Sequence, residues 1–251
     1  MNRAKCVIVP DVHGRTFWKD AKDFDCDVIF LGDYLDPYEF EGITKEQAIS
    51  NFNDILDYAK SNQNVQLLLG NHDLEYAIST RVCECRCDYE RYDNIRKMFT
   101  DNEELFKFVE KRTYADRDFL FSHAGIYPSW IEKHGFANID YLCSIRFEKE
   151  FEKTYPDFST ALCDVSFWRG GPDQSGSIVW SDIRECHGVD MSSVCCEQIV
   201  GHTYLSDEPV GNEWITCIDL QRIFIIDENG NLCNKDFSQI NKKTWKTSTK
   251  K

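Results

Sequence analysis

Residues 65–73 read Val-Gln-Leu-Leu-Leu-Gly-Asn-His-Asp. A run this short, apolar and stopped by glycine suits a strand buried on both faces in a parallel sheet. The residues after the glycine matter as much. Asn71 offers a neutral carbonyl oxygen and His72 an imidazole, both at the carboxyl end of a strand. In open α/β sheets that end is where ligands collect. An Asx turn closing the strand is the plainer reading of the same residues.

The same pattern recurs four times on either side. Val-Ile-Val-Pro leads to Asp11 and His13, Val-Ile-Phe-Leu-Gly to Asp33, Phe-Leu-Phe-Ser to His123, and Ile-Val-Gly to His202. Four of the six histidines therefore sit at strand ends. Taken singly, Asp11 reads as a helix cap and His123 or His202 as a satisfied core histidine. Together the five endings describe one site built from many strand ends. Asp and His two residues apart, in a turn closed by Gly14, suit a borderline divalent ion such as Mn, Fe, Ni or Zn better than Ca. A carboxylate has two oxygens and can bridge two ions, so Asp33 is the expected shared ligand. His72 is expected to point towards a substrate rather than the metal.

Between these endings the spacing predicts helices. Thr44-Lys-Glu-Gln47 has the form of a capping box, and Ala48, Ile49, Phe52, Ile55, Leu56 and Ala59 follow at helical spacing. A brief crossover helix is expected over 15–22, a helical pair over 88–112, a longer amphipathic helix over 138–155 and a helix over 159–164. Strands are expected at 6–9, 27–31, 65–69, 119–121, 177–180, 198–200, 214–220 and 222–226. The β-α-β-α-β order at the start implies parallel pairing with right-handed crossovers. The expected fold is a single α/β domain over 1–240, with two sheets and flanking helices, followed by a Lys-rich tail over 241–251.

Bulk properties narrow the function. The 251 residues carry 29 basic and 43 acidic side chains, a net charge of −14. Such a field repels a polyanionic duplex, so a nucleic-acid-wrapping protein is not expected. No apolar run approaches the ~20 residues of a membrane helix, and no signal-peptide core precedes Pro10-Asp11. A soluble cytoplasmic protein with no membrane partner is expected. On that reading the 12 cysteines are reduced thiols. The cluster Cys83-Glu-Cys-Arg-Cys87 lacks the C-x-x-C loops of structural zinc and reads as a surface loop.

The ordered set D-x-H, GD-x-x-D, GNHD, HAG and GHT, spanning residues 11–203, resembles the calcineurin-like metallophosphoesterase superfamily. The forms Gly32-Asp-Tyr-Leu-Asp36 and Gly201-His-Thr203 are similar to its phosphoprotein-phosphatase and diadenosine-tetraphosphatase branch. The resemblance implies a two-sheet α/β sandwich with helices outside, in four layers α/β/β/α, around a dinuclear metal centre, with manganese foremost. It implies Asp11, His13 and Asp33 on one ion and Asp33, Asn71, His123 and His202 on the other. It implies His72 as the acid for the leaving group, oriented by Asp36, and a metal-bridging hydroxide as nucleophile.

Two positions depart from the pattern. Pro37 stands where phosphoprotein phosphatases carry a phosphate-gripping arginine, and Tyr204 where many diesterases carry a second metal-binding histidine. Arg169, in Phe-Trp-Arg-Gly-Gly, is the expected replacement clamp, with Arg184 in reserve. Trp180-Ser-Asp182 is read as scaffold. The resulting expectation is a phosphomonoesterase of the serine/threonine protein phosphatase type, acting on a phosphorylated small molecule, nucleotide or phosphoprotein. A dinucleoside polyphosphate (Ap4A-type) pyrophosphohydrolase is the near alternative, with Tyr34, Tyr38, Tyr127, Trp130 and Trp168 available to stack a base. A non-catalytic scaffold is the alternative from another class.

Overall fold

The computed structural model describes residues 3–78 and 86–240. The first β-α-β-α-β segment forms as its pattern predicts. β1 (Ala4–Val9), β2 (Asp27–Phe30) and β3 (Val65–Leu68) pair in parallel, with Val9 opposite Phe30 and Phe30 opposite Leu67. A 3₁₀ helix over Phe17–Asp23 links β1 to β2 where a brief α-helix was expected. Between β2 and β3 runs α1 (Lys45–Ser61), whose Thr44 hydroxyl accepts from Gln47 N while the Gln47 side chain accepts from Thr44 N. Both halves of the capping box are made, so the helix starts where the sequence says.

Strand alternation divides the apolar residues between two cores. Val7, Val9, Val28, Phe30, Leu67 and Leu69 face outward, under Ala48, Phe52, Ile55 and Leu56 of α1. Cys6, Ile8, Ile29, Leu31 and Leu68 face inward, onto Phe119, Phe121 and Ile199 of a second sheet. A period of two puts alternate residues on opposite faces. Because both faces are covered, these strands read as unbroken apolar runs rather than alternating ones.

α2 (Asn71–Ala77) follows β3, and of the helical pair expected over 88–112 only the first member forms, as α3 (Tyr92–Thr100). The second half is extended: β4 (Phe106–Lys107) adds to β3, and β5 (Val109–Tyr114) opens the second sheet. Leu105, Phe106 and Val109 match a helical spacing, but Phe106 and Phe108, two apart, lie in one core cluster. β6 (Arg117–Ser122) pairs antiparallel with β5. After α4 (Pro128–His134), the single helix expected over 138–155 is broken into α5 (Ile139–Ser144) and α6 (Phe151–Thr154). Phe147 and Phe151 both dock on Phe108, at ring-centroid distances of 6.4 and 4.9 Å, and a straight helix is given up to bring them there. α7 (Pro156–Ala161) follows.

Residues 177–180, expected as a strand, are a turn in which Trp180 N and Ser181 N both donate to Ser177 O. β7 (Glu197–Val200), β8 (Val210–Gly211) and β9 (Ile215–Cys217) complete the second sheet, in the order β5-β6-β7-β9-β8. β10 (Phe224–Asp227) then returns to the first sheet, antiparallel to β1, and β11 (Leu232–Asn234) closes a hairpin through the expected Glu228–Asn231 turn. The first sheet thus runs β11-β10-β1-β2-β3-β4. Two mixed sheets flanked by helices is the expected fold. No described helix is long and apolar enough to cross a membrane. Cys83, Cys85 and the Lys-rich end lie outside the described residues; Cys87 is buried.

Candidate metal centre and active site

Five strands end at one place. The loops after β1, β2 and β3 of the first sheet and after β6 and β7 of the second bring Asp11, His13, Asp33, Asp36, Asn71, His72, His123 and His202 together, all buried. At four of these positions the chain turns with left-handed backbone: φ is 43° at His13, 53° at Asp33, 56° at Asp36 and 64° at His202. For a residue with a Cβ this region costs roughly 1–2 kcal/mol. Such a conformation persists only where the surroundings over-determine it, and it clusters at functional sites.

Asp33 lies at the middle. Its Oδ1 accepts from His72 N at 3.0 Å, which leaves Oδ2 facing His13 Nε2 at 3.4 Å and His123 Nε2 at 3.5 Å. His123 Nε2 is also 2.9 Å from Asn71 Oδ1 and 3.1 Å from His202 Nδ1. Ligand atoms ~2.0–2.1 Å from a tetrahedral ion are separated by roughly 3.3–3.4 Å, so these spacings match donors around a cation. Two donor groups emerge, Asp33 with His123 and His202, and His13 with Asp33 and His72, and Asp33 belongs to both.

The second group departs from the sequence reading, which put Asp11 in the place of His72. Asp11 Oδ1 accepts from His202 N at 2.9 Å and lies 3.9 Å from His123 Nδ1. Hydrogen bonding at the far ring nitrogen separates the histidines chemically. His13 Nδ1 meets Leu35 O and His123 Nδ1 meets Leu31 O, each at 2.8 Å. A carbonyl can only accept, so Nδ1 carries the proton and Nε2 presents a lone pair to a metal. His72 Nδ1 instead meets a carboxylate, Asp36 Oδ2, at 2.8 Å. That partner stabilises a charged imidazolium and suits a proton donor.

Burial holds His13 and His202 well below the usual imidazole range, helped by His72 for the first and by Arg169 for the second. Neutral imidazole is the form that binds metal. Burial, then the neighbouring Asp11, pushes Asp33 well above the usual carboxylate range. Acidic groups packed this closely out of water call for a compensating cation. The buried Nε2 of His202 has no hydrogen-bond partner among the described residues, an orphaned polar atom beside the donor cluster. The donor set therefore fits divalent ions.

Around this centre sit residues the sequence reading passed over. Asp73 is fully buried and accepts from Asp33 N at 2.7 Å, Gly70 N at 2.8 Å and Tyr34 N at 3.0 Å, fixing the loop that carries Asp33. Tyr76 donates to Asp36 Oδ1 at 2.6 Å and accepts from Asp88 N at 2.7 Å. Asp219 is a buried carboxylate pushed up by burial and by Asp11. It closes Ile-Thr-Cys-Ile-Asp219, a sixth apolar run ending on a metal-ligand-type residue, so the sequence held a signal for it. Arg86 donates to Asp36 O at 2.9 Å and lies 3.8 Å over the Tyr38 ring; no strand-end motif announces it.

Three of the five aromatics expected to stack a base cannot do so. Tyr34, Tyr127 and Trp130 are fully buried, with their polar atoms on Leu68 O, Asp182 O and Ala161 O. Trp168 is exposed and packs under the Arg184 guanidinium at 4.9 Å. Arg184 makes two bonds to Asp182, at 2.6 and 2.8 Å, and Arg169 lies 3.6 Å from the same carboxylate. Ser181 Oγ ties the 180–182 segment to Ala124 O at 2.8 Å, the scaffold role expected of it. The remaining histidines stand apart: His134 ends α4 beside Asp164, and His187 follows the 3₁₀ turn Ile183–Cys186.

Carboxylate, imidazole and amide donors at the facing ends of two stacked sheets are the parts of a metal-dependent phosphoester hydrolase. The chain belongs to the calcineurin-like phosphoesterase family, whose model matches residues 7–205. Among solved structures, it is similar to the cold-active protein-tyrosine phosphatase of a psychrophilic Shewanella species, at 18% identity and a TM-score of 0.55, covering 90% of this chain and 76% of that one. A second structure of a cold-active protein tyrosine phosphatase gives 18% identity and a TM-score of 0.54 over 94% and 81%. A protein serine/threonine phosphatase from Saccharomyces cerevisiae gives 15%, 0.49, and 89% and 72%. At 18% identity the likeness to the first two speaks for the fold alone. No curated protein matches the sequence.

Proposed function

We propose that the chain is a phosphomonoesterase of the serine/threonine protein phosphatase type, dependent on two divalent cations. The carrying observation is Asp33 Oδ2, equidistant within 0.1 Å from a donor nitrogen of each cluster at 3.4 and 3.5 Å. Asp11, His13 and Asp33 would hold one ion; Asp33, Asn71, His123 and His202 the other. The mix of imidazole, carboxylate and amide favours Mn, with Fe, Zn and Ni also fitting. When bound, two such cations supply an activated water and the positive charge that holds phosphoryl oxygens.

His72 delivers the proton to the leaving oxygen, and Asp36 orients it through Nδ1. Burial, then the Arg86 guanidinium, holds His72 down to about 3, while burial pushes Asp36 up to about 7 against the opposing Tyr76 hydroxyl. Those surroundings favour the neutral imidazole, and a phosphate dianion next to it favours the charged form that donates. Arg169 grips phosphate from the rim; Asp182, shared with Arg184, holds it there.

The test is the rate of Mn-loaded protein on an aryl phosphate, a phosphoserine peptide, a phosphotyrosine peptide and diadenosine tetraphosphate. Mn-dependent turnover of the monoesters, lost on chelation, is expected to exceed turnover of the dinucleotide. The reverse order assigns the pyrophosphohydrolase reading, and a metal-loaded protein inert to all four assigns the scaffold.

A further inference from the structure

Three arginines near the centre already face carboxylates. Arg15 makes a two-bond pair with Glu41, at 2.7 and 2.8 Å, and Arg184 and Arg169 share Asp182. Arg86 is different. Among the described residues it has no carboxylate partner, and one of its five N–H groups is engaged, by Asp36 O at 2.9 Å. Its plane rests on Tyr38, 3.8 Å from the ring centroid. Tyr38 in turn meets the His13 ring edge-on at 5.1 Å, and His13 meets His72 at 5.0 Å.

The guanidinium is thus fixed beside the His72–Asp36 pair by a hydrogen bond and a ring stack, with four donors unspent among the described residues. A cation without a carboxylate, in a protein of net charge −14, calls for an anion. A fork of parallel N–H donors fits the oxygens of a phosphate. Pro37 leaves the neighbouring turn without a cation, and Arg86 arrives from another segment to the same spot.

We propose that Arg86 is a substrate contact that binds the non-bridging oxygens of a dianionic phosphomonoester in front of His72, favouring monoesters over singly charged diesters. This rests on the phosphoesterase reading of the site. A purely structural role, bracing the Asp36 carbonyl, is the competing account.

Arg86→Gln keeps an N–H donor for that carbonyl and removes the charge, while Arg86→Lys keeps the charge and loses the fork. With Mn-loaded protein, Arg86→Gln is expected to raise the inhibition constant of inorganic phosphate and the KM of p-nitrophenyl phosphate roughly 10- to 100-fold. Bound Mn is expected to stay within twofold and the melting temperature within a few degrees, the KM of bis(p-nitrophenyl) phosphate to rise less than that of the monoester, and Arg86→Lys to recover part of the phosphate affinity. A phosphate inhibition constant within twofold of wild type overturns the proposal. So does an equal fall in kcat on both esters with phosphate affinity intact, which assigns the brace. If wild-type protein hydrolyses neither ester, the function reading has failed. Calorimetric phosphate binding to the Mn-loaded wild type and Arg86→Gln then decides the role of Arg86 separately.

Discussion

Gly70→Ala is the sharpest probe of the centre, because it adds one methyl group and leaves the backbone torsions unstrained. Gly70 has φ −99° and ψ 179°, extended backbone that alanine adopts without strain. The consequence is therefore one of contact. A Cβ built there lies 2.3 Å from Asp33 Oδ1, 2.8 Å from Asp33 N and 2.8 Å from His123 Cε1, and real Cβ atoms essentially never come within 3.0 Å. The Asp33 carboxylate must retreat by at least about 0.7 Å, away from the His72 N–H that holds its Oδ1. Overpacking of this kind costs typically ~1–3 kcal/mol, and a misplacement near 1 Å costs on the order of 100-fold in rate. Turnover of an aryl phosphate at saturating Mn, metal content by atomic emission and a thermal melt read all three effects. Expected are a fall of about two decades in kcat and a reduced metal load. Activity within threefold of wild type, with metal and melting temperature unchanged, would refute the claim that the position of Asp33 governs the site.

Two further substitutions and a pH experiment complete the set. His72→Asn is expected to retain both metals while losing 10²- to 10⁴-fold in rate, the usual range for a general acid; loss of metal instead places His72 among the ligands. Asp33→Asn is expected to lose metal and turnover together, and a variant that keeps both ions unseats it as the shared ligand. Burial pushes Glu185 up to about 7 from 4.5, against opposing bonds from Ser166, Asp182 N and Gly176 N. The folded state keeps this proton between those two values while the unfolded chain releases it. The contribution is complete below pH ~4.5 and fades as pH rises through ~7, by up to ~3 kcal/mol. Urea unfolding in chelator at pH 5 and pH 8 is expected to show a drop in wild type that is smaller by that contribution in Glu185→Gln; equal pH slopes contradict it.

The sequence disclosed the strand ends because two rules coincide there. A strand buried on both faces leaves an unbroken apolar run, and a metal site leaves polar donors right behind it. Where only one rule applies, the pattern misleads. The stretch 105–109 has helical spacing yet leaves a 3₁₀ turn at Leu105 for the strands that start at Phe106 and Val109, since pairing of Phe106 with Leu67 outweighs local periodicity. Phe147 and Phe151 are claimed by a cluster around Phe108 that no window over 138–155 can contain. The return of β10 to β1 joins residues more than 210 apart, as in Ala4 with Asp227. Arg86 acts through a stack on Tyr38, a contact that leaves no repeating signature in the chain. Asp73 was in plain view within the Gly70–Asp73 tetrapeptide, but its three backbone donors come from the folded turn.

At His13, Asp33, Asp36 and His202 the chain adopts torsions that glycine would hold without Cβ strain, while carrying side chains that glycine cannot supply. A campaign of directed evolution scored on heat resistance alone would drift towards glycine at these corners. It would return a sturdier polypeptide with no chemistry left in it.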